Sequence, residues 1–146
     1  MANRSQLQTL IDLAQRETDA AAKRLGETIR QAADAEQKQG MLQGYRDDYA
    51  ARFVQTQANG IAPMQYRNFE AFIKKLDNAI QGQQEVVRNT QFRIEGARKE
   101  WQACERKRLS YQALLKRAVL EHQQLANKRD QKAMDEHANR QAYYKR

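Results

Sequence analysis

The sequence predicts an all-α fold, a long two-helix antiparallel coiled-coil hairpin in which residues 1–146 form a single domain. Helix breakers are scarce, with six Gly and one Pro, and apolar residues recur at alternating steps of four and three. The low apolar content and the net charge of +8 would also fit a disordered chain. The regular apolar spacing favours the coiled coil over disorder.

The first predicted helix runs from about residue 5 to residue 58. Its apolar residues form a thin seam, the row of side chains that faces the partner helix in a coiled coil. Gly40 and Gly44 weaken the helix locally, and we expect a bend between them. The predicted seam residues are Leu7, Ile11, Ala14, Thr18, Ala21, Leu25, Ile29, Ala32, Leu42, Tyr49 and Phe53.

The predicted turn covers residues 59–63, because Gly60 suits the left-handed residue after a helix and Pro63 suits the first turn of the next one. The second predicted helix covers about residues 64–142. Its sustained repeat of 3.5 residues is typical of a left-handed coiled coil. The predicted seam residues are Phe69, Ile73, Leu76, Ile80, Gln83, Val87, Thr90, Ile94, Ala97, Trp101, Cys104, Arg108, Tyr111, Leu115, Ala118, His122 and Leu125.

The position of the turn also predicts which residues face each other. A turn near Ile61 makes the numbers of opposed residues add to roughly 122, so Trp101 faces Ala21 and Leu25 faces Ala97. Large side chains then meet small ones, as close packing requires. The second helix is longer, so residues beyond about 118 should form an unpaired C-terminal overhang that frays or binds another protein.

The sequence offers little chemistry, and we expect no enzymatic activity, no cofactor and no metal site. His122 and His137 have no cysteine close enough to complete a zinc site. Cys104 lies on the seam, where an inert core thiol is expected. A single cysteine and the absence of a long apolar run predict a cytoplasmic protein.

Two surfaces stand out as candidate binding sites. Tyr45 and Phe72 lie off the two seams, so a two-helix coiled coil cannot bury them, and they predict an exposed aromatic patch for protein binding. Residues 88–132 carry twelve Lys or Arg against five Asp or Glu. This basic stretch is a solvated face, a protein-binding groove or a nucleic-acid-binding surface, and its interleaved glutamates make nucleic acid the least favoured.

Five segments form an ordered pattern along nearly the whole chain: residues 7–17 with the pattern LxTLxDLAxxE, residues 21–27 with AAxxLGE, residues 41–49 with MLxxYxxxY, residues 60–61 with GI, and residues 130–136 with DQKxMDE. This pattern resembles the FliJ family of flagellar export proteins. The resemblance implies a coiled coil similar to the central stalk of rotary ATPases, located in the pore of a hexameric export ATPase. It also implies contact with the cytoplasmic domain of the membrane export gate, cycling of export chaperones, and a peripheral location at the inner face of the cell membrane.

Carried onto this chain, the resemblance implies two binding surfaces. Lys38 and Gln83 depart from the family's pattern at the edges of the gate-binding surface. A basic coiled-coil nucleic-acid-binding protein and a homo-oligomeric scaffold remain as alternative functions. The implied gate-binding residues are Leu42, Tyr45, Tyr49, Phe72, Leu76 and Ala79, and the implied ATPase-binding residues are Asp130, Gln131, Lys132, Met134, Asp135 and Glu136.

Overall fold

The structure, a computed structural model, describes residues 4–145 as two long helices and one short turn. Helix α1 covers Arg4–Ala58 and helix α2 covers Pro63–Tyr144. No strand occurs among the described residues, which confirms the all-α helical hairpin. Over these same residues, neither helix has a segment that is long and apolar enough to cross a membrane.

The tertiary contacts of the chain divide into two units. The first unit contains the described residues up to Asp19 and those from Gln102 onward, and the second contains Ala20–Trp101. In each unit a segment of α1 packs against a segment of α2. Each unit therefore has a seam and can be described by itself.

The turn has the backbone conformation that its sequence predicts. Gly60 has a φ of 84°, in the left-handed region that glycine adopts without steric cost, and its amide donates to the carbonyl of Gln57 at 3.0 Å. Pro63 is the first residue of α2, where a missing N–H costs nothing. The Ala62 amide donates to Oε1 of Gln65 at 3.3 Å, which satisfies one of the free amides at this helix start.

The seam of α1 follows the predicted spacing except at two predicted positions that are exposed, Ile29 and Tyr49, the second of which is 37% exposed and still stacks on Phe69 of α2. Ile29 is 48% exposed, and Thr28 takes the seam position in its place. The helix is uninterrupted through Gly40 and Gly44. Several seam positions carry polar side chains, so the pattern of apolar residues alone did not show the full repeat. The seam residues that the prediction missed are Thr28, Ala35, Gln39 and Arg46.

The seam of α2 is confirmed from Phe69 to Ala118, where every predicted position is buried or half-buried. His122 and Leu125 were predicted to belong to this seam, and this is wrong because both are exposed. The apolar repeat of α2 continues in the sequence beyond the residues of α2 that pack against α1. All residues of 120–145 are exposed, so the overhang has no partner within the described chain.

Inter-helix ion pairs define the register of the two helices. In the first unit Lys107 Nζ lies 3.7 Å from a carboxylate oxygen of Glu17. In the second unit Arg24 contacts Glu100 at 2.6 Å. The numbers in each pair add to 124, close to the sum of roughly 122 that the position of the turn predicts. Exposed pairs of this kind add little stability, so here they mainly report the register.

Buried polar residues interrupt the seams, and each is hydrogen-bonded. Gln83 is 8% exposed and its Nε2 donates to the carbonyl oxygen of Ala35 on the facing helix at 3.0 Å. The Thr18 hydroxyl donates to the carbonyl of Ala14 at 2.8 Å. Such bonds remove the cost of burying an unsatisfied polar group. The Gln83 bond also joins the two helices directly.

Candidate functional site

Five aromatic side chains form a cluster in the part of the second unit next to the turn. We call Tyr49, Phe53, Tyr66, Phe69 and Phe72 the tip cluster. The Phe69 ring lies between two rings of α1, with its centroid 3.6 Å from that of Phe53 and 5.4 Å from that of Tyr49, both in stacked geometry. Phe72 contacts Tyr49 at 4.5 Å, and Tyr66 contacts Phe53 at 5.9 Å. Aromatic contacts therefore run without a gap from Phe72 to Tyr66.

The six residues implied as gate-binding all lie in the second unit, and we call them the off-seam patch after their two off-seam aromatic residues, Tyr45 and Phe72. Tyr45 is 57% exposed and Phe72 is 44% exposed, as their off-seam positions predict. Tyr49 is also exposed, Ala79 is exposed, and Leu42 and Leu76 are half-buried on the seam. The patch is therefore an apolar surface with two leucines at its base. Its role in binding stays a prediction.

An ion pair lies inside this region of the second unit. Nε of Arg46, a half-buried seam residue, donates to a carboxylate oxygen of Asp77 at 2.5 Å. This hydrogen bond and the charge of Asp77 raise the pKa of Arg46 above its ordinary value. The negative charge of Asp77 thus balances the positive charge of the guanidinium. The aromatic residues remain the main feature of the surface.

Sequence reasoning missed three members of the tip cluster as site residues, Phe53, Tyr66 and Phe69. Phe53 and Phe69 line an open groove of about 340 Å³ together with Arg52 and Ile61. The hydrogen bond between the Tyr66 phenol and the Glu70 carboxylate raises the pKa of Tyr66. A signal was present in the sequence, since Tyr66, Phe69 and Phe72 follow each other at steps of three on one helix.

The residues implied as ATPase-binding lie on the overhang of the first unit, and all six are exposed. Gln131 donates to Asp135 at 3.2 Å, a contact between successive turns of the same helix. Met134 is 69% exposed. Every residue of this segment is exposed, so its acidic, basic and apolar side chains face the solvent.

Comparison with known proteins shows which family the chain is related to. The family model described as "Flagellar FliJ protein" matches residues 3–146. The chain belongs to the FliJ family. The curated "Flagellar FliJ protein" of Salmonella typhi is 34% identical over 145 residues, which is 99% of either chain. The protein of the same name from Escherichia coli (strain K12) is 31% identical over 145 residues, again 99% of both chains.

The basic stretch of this FliJ-family chain is partly neutralised by its own glutamates. In the second unit Arg98 lies 3.7 Å from Glu95, and Arg88 pairs with Glu85. In the first unit Lys107 and Arg108 also have carboxylate partners. Paired cations attract phosphate less strongly than free ones. This pairing argues against a continuous nucleic-acid-binding surface.

The part of this FliJ-family chain that the structure describes contains no group of three or more His, Cys, Asp or Glu side chains placed to hold a metal ion. Cys104 is half-buried on the seam, where the sequence analysis placed it. The expectation that the chain lacks a metal site and enzymatic activity stays a prediction.

Proposed function

We propose that this FliJ-family chain is a non-enzymatic coupling protein of the flagellar type III export apparatus. In this proposal the off-seam patch binds the cytoplasmic domain of the membrane export gate, and the overhang binds the hexameric export ATPase. The chain also assists the cycling of export chaperones. It works in the cytoplasm and associates with the inner face of the cell membrane through the gate. The family relationship and the names of the flagellar relatives support this role.

The observation that carries the proposal is the exposure of aromatic side chains at surface positions of the helices, where polar side chains would be expected. Tyr45 and Phe72 keep about half of their surface in water, although neighbouring positions of both helices are charged. Aromatic residues of this kind contribute most to protein interfaces when a partner removes them from water. Both residues lie on helices that are formed before binding, which lowers the entropic cost of association.

The overhang supports the second half of the proposal. A lone polar helix is only marginally stable in water, and residues 120–145 have no covering helix within the described chain. An ATPase ring that surrounds this segment would supply the missing contacts. The mixture of Asp130, Lys132 and Glu136 with the exposed Met134 suits a pore lined by both charged and apolar groups.

The decisive experiment measures binding of the full chain to the purified cytoplasmic domain of the export gate. We expect Tyr45→Ala to weaken this binding by more than about 1 kcal/mol, a common threshold for an important interface residue. Tyr143→Ala is the matched control, because Tyr143 is a tyrosine of the overhang that is 77% exposed. If the two variants bind the gate domain equally well, the off-seam patch is not the gate-binding surface.

The same preparation also tests the nucleic-acid alternative. Filter binding with duplex DNA at ~0.15 M salt should give no retention, since phosphate-driven affinity falls steeply as salt rises. Retention of DNA at this salt concentration together with failure to bind the gate domain would replace the coupling role by nucleic-acid binding.

A further inference from the structure

A second row of regularly spaced residues lies on α2 within the first unit. Arg106, Leu109, Ala113, Lys116 and Leu120, which we call the outer row, follow each other at steps of three, four, three and four. This spacing is the same as that of the seam, but the outer row lies on the opposite side of the helix from the seam residues Cys104, Arg108, Tyr111, Leu115 and Ala118. All five outer-row residues are exposed. The row therefore has the spacing of a coiled-coil seam without a helix to cover it.

The apolar members of the outer row expose much of their surface. Leu109 is 49% exposed and Leu120 is 50% exposed, and Ala113 lies between them. From Arg106 to Leu120 the row covers about two heptads, or roughly 20 Å of helix. The row is long enough for one further helix to pack along it. Removal of the exposed half of each leucine side chain from water would favour such packing.

The charges around the outer row have one sign. Between Glu105 and Glu121 the sequence contains five Lys or Arg and no Asp or Glu. Two of these cations are engaged, since Lys107 pairs with Glu17 and Arg108 pairs with Glu105.

The other three cations point to the chemistry of a partner. Arg106, Lys116 and Arg117 have no anionic partner among residues 4–145, for which the structure gives the ion pairs. Arg106 and Lys116 are themselves members of the outer row and lie at its two opposite margins, and Arg117 lies beside the row on the same side as Arg106. A partner that covers the leucines therefore meets positive charge at both edges of the contact.

We propose that the outer row binds an amphipathic helix of another protein, one that has apolar residues on its contact face and Asp or Glu along both edges. The narrow apolar row matches the contact of two helices, whereas membrane-surface helices present a broad apolar face. Binding of phosphate alone would need the cations but not the leucines. This surface shares no residue with the off-seam patch or with residues 130–136, so it does not depend on the proposed gate and ATPase contacts.

The test uses the full chain and a fluorescent synthetic helical peptide about three heptads long, with Leu at the two seam positions of each heptad and Glu at both flanking positions. Fluorescence anisotropy should show saturable binding. Leu109→Gln and Leu120→Gln should each weaken it about tenfold. Leu114→Gln is the matched control, because Leu114 is 46% exposed but lies off the outer row, and it should leave the affinity unchanged.

A charge exchange keeps the test independent of any effect on folding. The double variant Lys116→Glu with Arg117→Glu alters no apolar residue. It should no longer bind the Glu-flanked peptide, and it should bind a peptide that has Lys at the same positions. The proposal is overturned if the Glu-flanked peptide does not bind the unaltered chain, if Leu114→Gln weakens binding as much as Leu109→Gln, or if the charge exchange fails. Binding of phosphatidylglycerol vesicles or duplex DNA in place of the peptide would assign the outer row to a lipid or a nucleic acid and would equally overturn it.

Discussion

Replacement of Phe69 by alanine should strongly destabilise the second unit. The Phe69 ring is half-buried and is stacked between Phe53 and Tyr49, so the substitution removes two aromatic contacts and opens a gap between the helices. Replacement of a core Phe by Ala lowers the free energy of unfolding by about 3–5 kcal/mol. Each aromatic pair contributes about 0.5–1.5 kcal/mol to stability beyond the burial of its surface. For a half-buried ring the lower end applies, and we expect a loss of about 3 kcal/mol.

The matched control is Phe92→Ala. Phe92 also lies on α2 in the second unit, but it is 76% exposed, and it has no ring contact among residues 4–145. A surface substitution of this kind should change stability by less than about 0.5 kcal/mol. The contrast between the two variants separates the loss of a packed and stacked ring from the loss of an aromatic side chain as such.

The assay is urea denaturation of both variants and of the unaltered chain, followed by far-UV circular dichroism and by fluorescence of Trp101, the only tryptophan. Coincidence of the two signals would show that one transition is being measured. If Phe69→Ala shifts the unfolding free energy by no more than Phe92→Ala does, the tip cluster does not stabilise the hairpin and the stacking argument is wrong.

Three other outcomes are expected. Trp101→Ala should lower the unfolding free energy by about 3 kcal/mol, since Trp101 is half-buried on the seam, and a fluorescence spectrum of a fully solvated indole would contradict this. Glu70→Gln should lower the raised pKa of Tyr66, because the amide oxygen accepts a weaker hydrogen bond from the phenol and the side chain carries no negative charge. In the unaltered chain the stabilisation from this contact is present below the ordinary tyrosine pKa and is lost as pH rises through the raised pKa. The pKa of Tyr66 is measured as the difference in ultraviolet titration between chains with and without Tyr66→Phe, and an unchanged pKa in Glu70→Gln would contradict the expectation. Truncation after Asn127 should abolish stimulation of the export ATPase while circular dichroism shows an intact hairpin, and full stimulation by the truncated chain would exclude the overhang as the ATPase-binding segment.

The sequence predicted the seam of α2 better than that of α1 for a physical reason. On α2 most seam positions carry apolar residues, so hydropathy reveals the repeat directly. On α1 the seam includes Thr28, Gln39 and Arg46, which carry no apolar signal. Strict alternation of four and three from Leu7 would have selected position 28, and preference for the more apolar Ile29 produced the error.

The candidate site was partly predictable from position and partly dependent on register. Exposure of Tyr45 and Phe72 follows from their places beside the seam, which need no knowledge of side-chain conformation. The stack of Phe53 on Phe69 depends on the exact alignment of the helices and on rotamers. Their numbers satisfy the predicted pairing sum, so the contact could have been proposed, but its stacked geometry could not.

The hydrogen bond from Gln83 to the carbonyl of Ala35 makes its two positions unequal in the substitutions that they tolerate. Its acceptor belongs to the main chain, which every amino acid provides, so position 35 can drift among small residues without loss of the bond. The donor has no such freedom, because the reach of the glutamine amide is needed to span the gap between the helices. A substitution that shortens the side chain at position 83 therefore removes this bond between the helices, whereas Ala35→Gly or Ala35→Ser leaves its acceptor in place.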